Sequence, residues 1–210
     1  MDEQYYEKLL NIKTTGEQKI FNQSTHYHRY EATAYSLLAL LSNQYDFTTA
    51  DHIVDFGCGK GRLNFYINHF FGSTVTGIEM NTFFYKQAID NKRDYLKKHQ
   101  KQSNKINFFH CFAEEYQIAP SDNKFYFFNP FSLQIFIKVI GNILTSVASC
   151  ERTVDIILYY PSYDYSYFLE NNTPFSLIRE IQAPDLYQKD PRQSFLVYRL
   201  KSTSLSSLSI

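Results

Sequence analysis

Three cysteines, Cys58, Cys111 and Cys150, are too few and odd in number for a disulfide framework, and none has C-x-x-C spacing. They are expected reduced, with no metal site. Tryptophan is absent and alanine scarce, whereas tyrosine and phenylalanine number 18 and 19. With abundant Asn, Lys and Ile, that excess fits AT-rich coding better than a dedicated aromatic pocket. A surplus of either charge is also missing: 21 basic residues balance 21 acidic ones, leaving no global electrostatic footprint for nucleic acid. A protein or small molecule is therefore favoured as partner. No apolar run approaches the roughly 18 residues of a membrane span, and Met1-Asp2-Glu3-Gln4 lacks the basic and apolar regions of a signal peptide. The expectation is a soluble, cytoplasmic protein with no membrane partner. Without an internal repeat or linker, 210 residues fit one α/β domain and a short extension.

What is there centres on His52 to Arg62. The apolar, β-branched run Ile53-Val54 leads to Asp55, glycine then occupies Gly57, Gly59 and Gly61, and helical spacing follows at Leu63, Tyr66, Ile67 and Phe70. This reads as strand, tight turn and helix, the opening unit of a nucleotide-binding α/β sheet. Three of the chain's seven glycines lie in that turn, where the backbone has no room for a Cβ.

The dinucleotide fingerprint G-x-G-x-x-G/A requires a small third residue, and that position is Arg62. A nicotinamide-dependent reductase is thereby disfavoured. The pattern present is Asp-x-Gly-x-Gly-x-Gly, and an anion at Asp55 repels a pyrophosphate while favouring a ligand with an ammonium group. S-adenosylmethionine is such a ligand, having no phosphate, an amino group, a sulfonium and a ribose diol. The diol calls for an acid at the tip of the next strand, roughly 20 residues on. Thr74 to Ile78 ends in Glu79, which supplies it.

On these residues the chain, from about 28 to 200, resembles the class I S-adenosylmethionine-dependent methyltransferases. Asp55 to Gly61 looks like their motif I, Glu79 like the acid ending their second strand, and Asn129-Pro130-Phe131 like a variant of their Asn/Asp-Pro-Pro-Tyr/Phe motif. The resemblance implies an α/β fold: a seven-stranded, mostly parallel, doubly wound sheet with helices on both faces, an antiparallel closing hairpin and a helical N-terminal extension. The extension or lid would cover residues 1–45, the Rossmann-like domain 46–202 and a frayed tail 203–210. It also implies S-adenosyl-L-methionine as cofactor, held by Thr33, Asp55, Gly57, Cys58, Gly59, Gly61, Glu79, Met80, Phe112, Ala113 and Asn129. Asn129, Pro130 and Phe131 would be catalytic, the asparagine oxygen and the next carbonyl aligning an attacking amine, with Phe131 as a stacking wall. Many relatives have an Asp where Phe112 stands, so the adenine amino group would turn to Glu114 or a backbone carbonyl.

Along the chain, the spacing predicts a short amphipathic helix within 2–13 and a helix through Leu37, Leu38, Leu40 and Leu41 that leans on the sheet edge. Asn22 to Arg29, with His26, Tyr27 and His28, suits a lid. Tyr30, Thr33 and Tyr35 resemble a stretch that reaches the methionine end of the cofactor in relatives. A helix from Asn81 ends in Lys92, Arg93, Lys97, Lys98 and Lys101, read as a solvated face, and His110 reads as a packed strand residue. Strands are expected at 106–111, 124–128, 154–160, 175–181 and 195–200, with a helix from Leu133 to about Ala148. Asn129 lacks formal charge, so it orients an amine without strongly deprotonating it. The proton would pass to water, His28 or Tyr160. Two function classes follow: transfer of a methyl group to an amine nitrogen of a protein side chain or small molecule, or a catalytically silent cofactor-binding or partner-binding scaffold of the same fold.

Overall fold

A computed structural model describes residues 3–16 and 31–200. Seven strands form one sheet: β1 (His52–Phe56), β2 (Thr74–Ile78), β3 (Ile106–Phe109), β4 (Lys124–Phe127), β5 (Val154–Tyr159), β6 (Ser176–Gln182) and β7 (Ser194–Leu200). Their order is β3-β2-β1-β4-β5-β7-β6. The first five run parallel, and β7 enters antiparallel to β5 and pairs with β6 as a closing hairpin. The expected doubly wound sheet is therefore present. Its parallel strands are apolar on both sides because both sides are covered.

Alternation sorts the strand residues between two cores. Ile53, Val75, Tyr126 and Ile157 join α1 (Glu3–Leu10), α2 (Tyr35–Gln44), α3 (Arg62–Phe71) and α4 (Thr82–Leu96) on one face. Val54, Phe56, Phe125, Phe127 and Leu158 meet α5 (Leu133–Ser149) and α6 (Tyr163–Asn172) on the other. As expected, α2 leans on the sheet's edge strand, β6. The charged end of α4 is solvated, with Arg93 and Lys97 paired to Asp90 and Asp94. All three cysteines are free thiols.

Predicted strands overshoot at their carboxyl ends. The expected run to Cys111 stops at Phe109, that to Phe128 at Phe127, and that to Tyr160 at Tyr159. Two of these chain segments turn away through left-handed backbone, Asn129 at φ +40° and Tyr160 at φ +50°. The expected lid at Asn22–Arg29, with His26, Tyr27, His28 and Tyr30, lies outside the described residues, as does the tail from Lys201.

The N-terminal extension is tied down by one cation. Arg62, only 6% exposed, donates from Nε to the Thr14 hydroxyl at 2.7 Å and from NH1 to Glu3 at 2.6 Å and the Thr33 carbonyl at 3.3 Å. Its guanidinium also lies 3.8 Å from a Glu7 carboxylate oxygen and 4.4 Å from the centre of the Tyr35 ring. Glu7 in turn accepts from the Thr14 amide, the Thr14 hydroxyl and the Tyr35 phenol. Tyr35 is thus fully buried in this network, its phenol committed to Glu7 rather than open to a cofactor as expected. Removing one partner of a buried ion pair leaves the other charge unpaired, at a cost of about 3 to 5 kcal/mol. Arg62→Met should therefore lower stability by about 3 kcal/mol and expose residues 3–16 to limited proteolysis. Denaturant titration and protease mapping check this, and an unchanged denaturation midpoint would refute it.

Candidate functional site

The site is built at the carboxyl edge of the parallel strands, where open α/β sheets bind ligands. The turn after β1 presses onto the end of β2: the amides of Gly57 and Cys58 both donate to the Ile78 carbonyl, at 2.9 and 3.1 Å. Gly57, Gly59 and Gly61 have φ of +79°, +55° and +84°, conformations that side chains resist. Space is as restrictive as conformation. A Cβ on Gly57 would sit 2.7 Å from the Pro130 side chain, and one on Gly61 would sit 2.7 Å from the Phe108 ring. Gly77, within β2, serves the same contact from below, since a Cβ there would meet the Cys58 sulfur at 2.6 Å.

Pro130 touching Gly57 brings the Asn129-Pro130 corner against the glycine turn, so the first and third sequence motifs meet in space. The second joins them through Glu79. Its carboxylate accepts from the Gly59 amide at 2.9 Å and the Asn81 amide at 2.7 Å. Asn81 then caps α4, its side-chain oxygen accepting from the amides of Phe83 and Phe84.

Two acids thus share one buried space. Burial, and then the negative charge of Glu79, pushes the Asp55 carboxyl up to about 8. Burial also raises the Glu79 carboxyl, against the lowering effect of its backbone donors and of His110. Burial and the neighbouring acid thus favour the protonated form of Asp55 in the ligand-free chain. The sequence expectation of a standing anion is corrected on that point, since the sequence does not reveal the burial. Burial pushes the Cys58 thiol well up, keeping it neutral.

The other expected site residues are distributed unevenly. Thr33 is buried, its hydroxyl 2.7 Å from the Tyr126 phenol, and Tyr126 is the register partner of Asp55. Met80 and Ala113 line the edge beyond β2 and β3, and the Met80 carbonyl lies 3.0 Å from His110 Nε2. His110 is exposed beyond the end of β3 and stacks on Tyr85, so it is no strand residue. Phe112 is 46% exposed, just ahead of Ala113. Phe131 is not available: it is 1% exposed, its ring meets Phe127 edge-on, and its carbonyl accepts from the Tyr165 phenol. The chain after Pro130 turns back into the core, so Phe131 cannot be the expected stacking wall. Tyr160 is also unsuited to take a proton, because its phenol already donates to Asp190 at 2.7 Å, a bond that raises its pKa.

Sequence reasoning missed Tyr126, Asp190 and Arg192. None lies in a recognisable motif, and Asp190 reaches Tyr160 across 30 residues of chain.

No protein-family model matches the chain, and no curated protein sequence does. Solved structures do share its fold. A Pyrococcus horikoshii protein proposed to be an RNA methyltransferase aligns at TM-score 0.57 and 16% identity, over 94% of this chain and 97% of that one. An RNA methyltransferase from Salinibacter ruber, in complex with S-adenosyl-L-homocysteine, aligns at TM-score 0.53 and 14% identity, over 80% of this chain and 92% of that one. The [4+2]-cyclase SpnF aligns at TM-score 0.59 and 13% identity, covering 85% and 87%. The fold is thus that of class I S-adenosylmethionine-dependent methyltransferases, and one protein sharing it is a cyclase.

The buried acid pair sets a pH dependence. The folded chain keeps a proton on Asp55 up to about 8, whereas the unfolded chain sheds it near the ordinary 3.8. Unfolding between those values releases a proton, so this group's stabilising contribution is complete below the lower value and is lost as pH rises through the upper one. Denaturation midpoints of the ligand-free protein should fall between pH 5 and 8.5 by about the amount this linkage gives, and Asp55→Asn should flatten most of that slope. A wild-type profile without slope would remove the buried proton.

Proposed function

We propose that this chain binds S-adenosyl-L-methionine at the glycine turn and transfers its methyl group to an amine nitrogen of a protein side chain or small molecule. The observation that carries the reading is the pair of buried acids, Asp55 and Glu79, set around a turn whose Cβ-free positions form a cradle. A phosphate-bearing dinucleotide fits poorly, because Arg62, buried and committed to the N-terminal helix, occupies the position where its fingerprint needs a small residue.

The residues present suit the ligand. Each Glu79 oxygen already accepts one backbone amide and retains lone-pair capacity for a ribose hydroxyl. Asp55 ionises when an amino group or sulfonium comes near, and Thr33, Met80, Phe112 and Ala113 line the remainder. When bound, the cofactor supplies an electrophilic methyl on a positively charged sulfur. The protein's contribution to such an in-line displacement is alignment. Asn129 at the left-handed end of β4 orients the nitrogen, its side-chain oxygen and the Pro130 carbonyl accepting the amine hydrogens. Pro130, packed on Gly57, fixes the distance between nucleophile and cradle. The acceptor nitrogen's surplus proton would leave to water, because Asn129 carries no charge with which to keep it.

Calorimetry tests the cradle directly. S-adenosylhomocysteine should bind the wild type, and Glu79→Ala should weaken binding by about 1.5 to 3 kcal/mol, the range for a hydrogen bond to a charged group. Asn129→Ala should reduce turnover far more than cofactor affinity, since the loss falls on alignment. Binding of a nicotinamide dinucleotide in preference to S-adenosylhomocysteine would overturn the assignment. Equal losses of affinity and rate at Asn129 would confine that residue to cofactor binding.

A further inference from the structure

Beyond the cradle, strands β4 and β5 end side by side in the same way. Phe127 and Leu158 are the last register partners, and two residues further along each strand the backbone turns left-handed, at Asn129 and at Tyr160. Strained backbone at two adjacent strand ends on the ligand edge marks a place worth asking about. Around it the chain assembles an aromatic corner: the Phe128 ring centre lies 4.5 Å from that of Tyr159 and 6.4 Å from that of Tyr160. A carboxylate borders it: Asp190 accepts from the Tyr160 phenol at 2.7 Å.

The corner already holds a cation belonging to the chain itself. The Arg192 guanidinium lies 4.5 Å from the centre of the Tyr160 ring and pairs with Asp190 at 2.8 Å through NH2 and 3.0 Å through Nε. Its side chain is 57% exposed and sits in the connection between β6 and β7. An aromatic face with an adjacent carboxylate is a general recognition device for ammonium and guanidinium groups. A solvent-exposed ion pair is worth little, so such an occupant is easily displaced.

Resting on the methyltransferase reading above, we propose that the corner formed by Phe128, Tyr159, Tyr160 and Asp190 is the acceptor subsite, that it selects acceptors carrying an ammonium or guanidinium group, and that Arg192 is a displaceable internal occupant of it. The acceptor's cation takes the place of Arg192 over Tyr160, and the attacking nitrogen first sheds a proton to water, since a protonated nitrogen has no lone pair to offer the methyl. The same chemistry is offered by a free small amine and by a basic side chain of a protein.

The full chain is titrated by calorimetry or NMR, with and without saturating S-adenosylhomocysteine, using methylguanidine, a short arginine-containing and lysine-containing peptide, and the same peptide neutralised by citrulline and acetyl-lysine. The cationic probes should bind and the neutralised peptide should not. Arg192→Ala should tighten cation binding about threefold or more by vacating the ring. Asp190→Asn and Tyr160→Asn, the latter chosen because asparagine tolerates left-handed backbone, should weaken it by a similar factor. Affinity for S-adenosylhomocysteine should stay within about twofold of wild type in all three variants, a readout that a folding defect would move. A peptide tighter than methylguanidine by more than about tenfold assigns a protein acceptor, and equal affinities assign a small amine. Unchanged or weakened cation binding in Arg192→Ala overturns the proposal, because Arg192 would then be part of the wall. Cation binding by a wild type that fails to bind S-adenosylhomocysteine would instead sink the methyltransferase reading, and with it the acceptor role of the corner.

Discussion

The structure depends on one close approach, that of the β1–α3 turn to the end of β2. Gly57, Gly61 and Gly77 contribute no side chain at the three places where this turn meets Pro130, Phe108 and its own Cys58 folded back over β2. Only then can the Gly57 and Cys58 amides reach the Ile78 carbonyl and the Gly59 amide reach Glu79. The same approach starts α3 at Gly61, so the helix, the turn and two strand ends are fixed together. A methyl group at any of these positions would move several elements at once, because interiors packed at crystal density have no slack to absorb it.

Arg62 extends that constraint outward. As the first residue of α3 it is set by the turn, and its buried guanidinium collects Glu3, Glu7, Thr14 and the Thr33 carbonyl from a segment far away in sequence. The N-terminal helix is thereby oriented by the same turn that forms the cradle, and Lys60 repeats the arrangement by donating to the Thr15 carbonyl. Thr33, held from one side by Arg62 and bonded on the other to Tyr126, passes the register on to the strand that carries Asp55. An extension that reads in the sequence as an appendage is in energetic terms part of the same core, with Leu10 and Ile12 buried alongside Ile53 and Phe65.

Local patterns were legible and long-range pairings were not. The glycine spacing, the acid after β2 and the strand alternation all follow from neighbouring residues, whereas the closing hairpin follows from the family resemblance. Strand ends were read one or two residues too long, because Cys111, Phe128 and Tyr160 are as apolar or aromatic as the strands they follow. Only the backbone turn removes them from the ladder. Phe131 misled for a related reason. A motif places it beside Asn129, but its burial is decided by Phe127 and Tyr165, which the motif does not contain. Arg62 was legible as an obstacle to a dinucleotide, while its partners lie up to 59 positions away and no period connects them.

The two edges of the sheet treat buried charge in opposite ways, and that contrast bears on what the molecule is for. At the amino edge every buried charge just described has a partner: Asp155 takes a two-point bond from Arg199, and Lys124 meets Asp51 at 3.0 Å. Those pairs are structural and complete. At the carboxyl edge Asp55 is raised by burial and by another acid, with no cation among the described residues offsetting either effect. Beside it, two residues with side chains adopt left-handed backbone, an arrangement that costs on the order of 1 to 3 kcal/mol each. Since SpnF shows that this fold serves more than one chemistry, architecture alone does not choose among functions. Buried acids and left-handed strand ends concentrated at a single edge mark that edge as the candidate site. Of the two acids, Glu79 also holds the turn through the Gly59 and Asn81 amides, whereas Asp55 has only burial and a like charge acting on it.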